Sequence, residues 1–186
     1  MAQEGKRIMG FDPGTNMMGY GCIEVKSQKI ALLGKGVINL QNTSEAFKKL
    51  SKIYESCSTL LKQFDPEEVA IEAPFFGKNV QSMLKLGRAQ GVAIAAVVSL
   101  GKPVSEYSPR SIKQAITGNG NASKIQVSGM LNHLISTGEV DNKDLDASDA
   151  IATAICHHFQ TKNGSLTNKK TTSWEQFIKE NPDKLG

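Results

Sequence analysis

The stretch Arg7-Ile8-Met9-Gly10-Phe11-Asp12-Pro13-Gly14-Thr15 decides how this chain is read. Its apolar run has the length and residue types of a β-strand, and Pro-Gly directly after the acid imposes a sharp turn. Asp12 therefore closes a strand. Val69-Ala70-Ile71-Glu72, followed by Ala73-Pro74, repeats the pattern with a glutamate. A third segment, Asp146-Ala147-Ser148-Asp149-Ala150-Ile151, sets two acids three residues apart at the start of an Ala/Ile-rich helix, hence on one face. Taken singly, these acids have plainer explanations as a turn former, a solvated strand end and a helix cap. Their co-occurrence, without Cys or His at ligand spacing, points to a hydrolytic site built on a hard, oxygen-seeking cation such as Mg²⁺ or Mn²⁺.

The chain has 186 residues, 39% hydrophobic and 22% charged, which suits one well-cored domain. Even Gly91 to Leu100 is about half the roughly 20 residues that span a bilayer. Met1-Ala-Gln-Glu-Gly-Lys6 lacks the apolar centre of a signal peptide, so export is not indicated and a cytoplasmic location is expected. Cys22, Cys57 and Cys156 are far apart in apolar surroundings and read as reduced, buried thiols. His133, His157 and His158 form no zinc pattern with them. The net charge of +4 is mild but segregated. Between Pro103 and Val127 the charges are Glu106, Arg110, Lys113 and Lys124, whereas Glu139 to Asp149 carries five acids against Lys143. A cationic surface beside an anionic pocket suits a phosphodiester substrate.

From Arg7 to Leu40, three strand-like runs broken by glycines and Ser27-Gln28 suggest an antiparallel meander. An amphipathic helix opens at Thr43-Ser44-Glu45 and stops at Asp65-Pro66, so the strand ending at Glu72 is reached by a crossover and runs parallel to the first. Gln81 to Leu100 is an Ala-rich helix with Gly87 and Gly91 one turn apart, spacing that suits close helix contact either in the core or at a subunit interface. Pro103 to Tyr107 is a fifth strand. Ser108-Pro109 caps a helix ending at Gly118, and Gly118-Asn-Gly-Asn-Ala-Ser-Lys124 opens another, either as free backbone N–H groups for a phosphate or as a plain turn. The last helix runs from about Asp146 to Phe159. This order is that of an α/β, ribonuclease H-like fold with a mixed five-stranded sheet flanked by helices. Residues 1–160 form the nuclease domain, and 161–186 a polar tail with a possible short helix around the single tryptophan, Trp174.

Several segments, in order, resemble the RuvC family of Holliday-junction resolvases: Gly10-Phe-Asp-Pro-Gly-Thr15 with Gly19-Tyr-Gly21, Ile71-Glu72-Ala-Pro-Phe75-Phe-Gly-Lys78-Asn79, and Leu84-Lys-Leu-Gly87-Arg-Ala-Gln-Gly91. So do Glu106 through Lys113, Gly118 through Val127 and Asp146-Ala-Ser-Asp149-Ala-Ile-Ala. The resemblance implies a homodimeric, Mg²⁺-dependent endonuclease that makes paired nicks in four-way DNA junctions. It makes Asp12, Glu72, Asp146 and Asp149 the catalytic metal ligands, holding two ions per site, with Mn²⁺ able to substitute. It also places Lys113 and Lys124 on the DNA backbone near the active site and stacks Phe75 on an unpaired base. Lys78, Asn79 and Arg110 are further DNA-contact candidates. The implied partners are four-way junction DNA, a second copy of the chain, and a junction-binding protein with a hexameric branch-migration helicase. An actin-like ATPase would need a second lobe for which the length leaves no room. A non-catalytic junction-binding protein of the same fold would naturally have lost one of the four acids, and all four are present. A ribonuclease H-like nuclease with another substrate is disfavoured by the extent of the family match, since the carboxylates would serve either chemistry.

Overall fold

The computed structural model describes residues 5–43, 45–74, 79–138, 140 and 145–162. Three antiparallel strands come first: β1 (Lys6–Asp12), β2 (Met17–Lys26) and β3 (Lys29–Asn39). Helix α1 (Ala46–Phe64) crosses over to β4 (Glu68–Glu72), which lies parallel to β1 with Phe11 opposite Ile71. Helix α2 (Val80–Ser99) leads to β5 (Val104–Tyr107), parallel to β4, and then come α3 (Pro109–Thr117) and α4 (Lys124–Leu134). The chain closes with β6 (Ile135–Thr137) and α5 (Leu145–Lys162). The sheet order is β5-β4-β1-β2-β3-β6, a ribonuclease H-like α/β arrangement.

The sheet thus has six strands where five were expected. The three residues of β6 directly continue α4 and pair in parallel with the edge strand β3. So short an element has no periodicity of its own, and only the exposed ladder of β3 makes it a strand.

Local signals set most boundaries. Asp65 ends α1 in the left-handed region (φ 44°), its N–H donating to the Leu61 carbonyl at 3.0 Å. Ser108 caps α3 through its Oγ, which accepts from Ser111 N at 3.1 Å, and Pro109 fills the first turn. At α4, Ser123 and Gln126 form a reciprocal capping box.

Alternation along the strands splits the core in two. Met9, Phe11, Val69 and Ile71 pack under α1 and α2, whereas Ile8, Ile23 and Ala70 pack under α5 with α3 and α4. Asp12 and Glu72 share the parity of Ile8 and Ala70 and so belong to the α5 side. Cys22, Cys57 and Cys156 are buried free thiols, as expected. His157, also buried, joins Tyr107 Oη at 2.8 Å to Glu68 Oε2 at 2.6 Å, a structural polar chain.

Helix α5 lies unusually close to the sheet. A Cβ on Gly10 would run into the Ala150 carbonyl oxygen, on Gly19 into that of Asp146, and on Gly21 into Ile151. Ala147, Ala150, Ala154, Ile151 and Ile155 of α5 are completely buried on this contact. Gly10→Ala is expected to destabilise the fold by about 2 kcal/mol, because the obstacle is backbone that cannot rotate away. Gly129→Ala, in an open position of α4, should instead stabilise by about 1 kcal/mol. Urea denaturation of both variants checks this, and equal effects would reject the close-packing account.

Candidate metal-dependent nuclease site

Asp12 and Glu72 are the last residues of adjacent parallel strands. The glycine-lined approach of α5 lays its first turn across those ends, and with it Asp146 and Asp149. The carboxylates feel one another. Asp12 is pushed up to about 8, first by burial, then by the charges of Glu72, Asp149 and Asp146. Glu72 is raised to about 7 by burial and by Asp149, against the opposing pull of Lys124 and Lys113.

Two lysines complete the cluster. Lys124, the first residue of α4, places Nζ 2.5 Å from Asp149 Oδ2. The same ammonium lowers Asp12 and Glu72, and its own pKa rises through the Asp149 hydrogen bond. Lys113 on α3 is half-buried and close enough to lower Glu72. The structure therefore brings together Asp12, Glu72, Asp146, Asp149, Lys113 and Lys124. Beside Asp12 and Glu72 a cleft of about 110 Å³ opens toward α2, lined by these two acids with Pro13, Ala73, Pro74 and Leu86.

As the side chains stand, no three His, Cys, Asp or Glu groups among the described residues converge tightly enough to enclose one ion. Asp149 is turned to Lys124 instead. The donor chemistry nonetheless fits a divalent cation. The four groups offer only hard oxygens, and two of them hold a charge poorly in this pocket without a countercation. The acids that could hold it are Asp12, Glu72, Asp146 and Asp149.

The remaining DNA candidates fare differently. Phe75 and Lys78 lie outside the described residues, as do Glu139 and the Trp174 segment. Asn79 caps α2, its Oδ1 accepting from Ser82 N at 3.1 Å, so its carbonyl oxygen already has a structural task. Arg110 is exposed on α3 and packs its stem over Gly120.

The 118–123 loop corrects the reading of free N–H groups awaiting a phosphate. Asn119 N donates to Thr117 Oγ1, Gly120 N to Gln114 Oε1 and Asn121 N to Asn119 Oδ1. Ala122 N donates to Asn119 O, and Ser123 N to Gln126 Oε1. The loop satisfies its own donors, and what it contributes is the placement of Lys124.

Two residues near the site, both within the Leu84–Gly91 segment, are not among those the sequence singles out as site residues. Leu86 lines the cleft from α2, and Gln90, 6% exposed, reaches the Glu72 carbonyl oxygen with Nε2. A polar residue on the buried face of an Ala-rich helix was the available signal for Gln90.

Residues 8–157 match the family model for the crossover junction endodeoxyribonuclease RuvC. The chain is 53% identical over 178 residues to the crossover junction endodeoxyribonuclease RuvC of Cytophaga hutchinsonii, covering 96% of this chain and 87% of that protein. It is 48% identical over 188 residues to that of Porphyromonas gingivalis, covering both chains completely. Its structure is similar to T. thermophilus RuvC in complex with Holliday junction substrate, with a TM-score of 0.79 and 31% identity over 86% of this chain and 97% of that one. With matched residues that span both strand-end acids and the Asp146/Asp149 turn of α5, this chain belongs to the RuvC family of crossover junction endodeoxyribonucleases.

Proposed function

We propose that the chain resolves Holliday junctions by divalent-metal-dependent phosphodiester hydrolysis, with Asp12, Glu72, Asp146 and Asp149 as ligands and two chains making the paired nicks. The observation that carries the reading is the crowding of four carboxylates at the strand ends, where burial and repulsion leave Asp12 and Glu72 short of countercharge. Mg²⁺, two ions per site, is the expected occupant, with Mn²⁺ able to replace it. Bound there, the cations would supply Lewis acidity and positive charge at the scissile phosphate.

The protein's own part is positional. Asp12 and Glu72, on rigid strand ends, fix one side of the site, and α5 brings the other two acids as a unit. Lys124, 57% exposed at its side chain, can leave Asp149 for a phosphate oxygen while α4 holds its backbone. Lys113 adds a second positive charge on the Glu72 side. Phe75, Lys78, Asn79 and Arg110 remain proposed DNA contacts, Asn79 through its side-chain amide NH₂, since its oxygen caps α2.

A second copy is supported by α2. Val80, Leu84, Gly87, Gly91, Ala95 and Val98 form one exposed stripe along its length, with Val80 64%, Leu84 53% and Val98 57% exposed. A Cβ on Gly87 or Gly91 would meet nothing among the described residues, so these glycines serve no packing there. Phe47 and Tyr54 of α1 are also exposed, at 81% and 41%, and a groove of about 350 Å³ between the two helices is lined by Phe47 and Leu50 together with Lys49, Lys85 and Arg88. A two-fold substrate cut twice calls for two related sites. A junction-binding protein and hexameric branch-migration helicase are the proposed further partners.

Asp12→Asn and Asp146→Asn should each reduce cleavage of a synthetic four-way junction by at least about 10³-fold, some 4 kcal/mol of transition-state stabilisation. Junction binding should survive in a gel-shift assay, and near-normal cleavage by either variant would refute the ligand assignment. Leu84→Glu should shift sedimentation from dimer to monomer and abolish paired nicks; a dimer of normal strength would exclude α2 from the interface.

Because the folded values of Asp12 and Glu72 lie above their unfolded ones, the protonated groups contribute stability that is complete below about pH 4 and lost as pH rises to about 8. The metal-free melting temperature should therefore fall across that window relative to Asp12→Asn/Glu72→Gln, and Mg²⁺ should restore it at the upper end. Parallel melting profiles for the two proteins would contradict the electrostatic account.

A further inference from the structure

The carboxylate of Glu72 and the support of its backbone come from opposite faces of the sheet. Its side chain belongs to the α5 side. Its carbonyl oxygen, one residue past the end of the β1–β4 ladder, meets Gln90 Nε2 from α2 at 3.4 Å. The same Nε2 lies 2.7 Å from Glu106 Oε1, a carboxylate on β5. Both partners are acceptors, so the nitrogen of the amide must face them, and its two hydrogens serve one each. Across the same peptide unit, Ala73 N donates to the Tyr107 carbonyl at 2.8 Å. The peptide joining Glu72 to Ala73 is thus held at its oxygen by Gln90 and at its nitrogen by β5.

An alanine or leucine would serve helix packing at this site as well, since the neighbouring core positions of α2 are Ala89, Ala93, Ala96 and Val97. A buried amide costs free energy unless its hydrogen bonds are made. What it provides here is control of the Glu72 ψ angle, and through it the direction in which the carboxylate leaves the strand. Residue 74 is a proline and has no N–H to donate to a ladder.

We propose that Gln90, anchored by Glu106, is a positioning residue for the metal-ligating carboxylate of Glu72. It touches neither substrate nor cation; it fixes the peptide plane from which that ligand projects. The proposal rests on the metal-site reading given under Proposed function.

The test is Mn²⁺ binding to the full chain, followed by electron paramagnetic resonance, for wild type, Gln90→Met and Asp146→Asn. Gln90→Met keeps length and apolar stem but removes the donors. It should bind Mn²⁺ about tenfold more weakly, the order expected when a partner that orients a metal ligand is lost. Its melting temperature and junction affinity should stay near wild type, and its single-turnover cleavage should fall and recover with added Mn²⁺. A folded Gln90→Met with wild-type Mn²⁺ affinity and metal dependence would overturn the proposal and leave Gln90 a packing residue. If Gln90→Met does not fold, Glu106→Ala carries the test. It frees the amide from an exposed anchor, and unchanged Mn²⁺ affinity there would overturn the proposal equally. Absence of Mn²⁺ binding by wild type itself would overturn the metal-site reading instead, which keeps the two failures apart.

Discussion

The contact between α5 and the glycines of β1 and β2 is the constraint on which the site depends. Gly10, Gly19 and Gly21 remove the side chains that would hold a helix at ordinary distance from a sheet, and the α5 backbone occupies the space. Glycine inside a strand costs roughly 0.5–1 kcal/mol relative to alanine. Complete burial of Ile151 and Ile155, at about 1.5–3 kcal/mol each, offsets that cost. The packing also fixes depth. Asp146, whose carbonyl lies over Gly19, cannot move from the strand ends without displacing the helix that fills the core.

Electrostatics opposes what packing imposes. Four acids are brought to the same strand ends, two of them largely out of water, and only Lys124 and Lys113, among the described residues, stand near enough to compensate. The 118–123 loop matters for this reason. By satisfying its own N–H groups it becomes a rigid support for the start of α4, and Lys124 is held in reach of Asp149. A site that stores repulsion without a cation gains most from acquiring one, so under the proposed function local instability and metal affinity would share a cause.

The sheet also separates two tasks. One face carries α5 and the four carboxylates. The other carries α1 and α2, whose inner sides close the second core and whose outer sides leave Val80, Leu84, Val98 and Phe47 in water. Strand β4 belongs to both, because Glu72 sends its carboxylate to one face while its carbonyl is held from the other.

Much of this was legible in the amino-acid order. Acids followed by Pro-Gly or Ala-Pro marked the ends of β1 and β4, the three-residue spacing of Asp146 and Asp149 put them on one helical face, and Ser108-Pro109 and Asp65-Pro66 set helix boundaries. All of these are signals between neighbours, carried by turn chemistry and periodicity. What lay beyond them depends on residues distant in the chain. Strand β6 exists because β3 offers an edge more than a hundred residues earlier in the chain. Gly10 and Gly87 look alike in sequence, yet one is pressed against a helix backbone and the other opens to solvent. Gln90 acquires its task only because α2 crosses behind the last peptide of β4. The chain by itself determined which groups could do the chemistry; the tertiary structure decided which of them meet, since burial, repulsion and close approach arise only once separate segments share the same space.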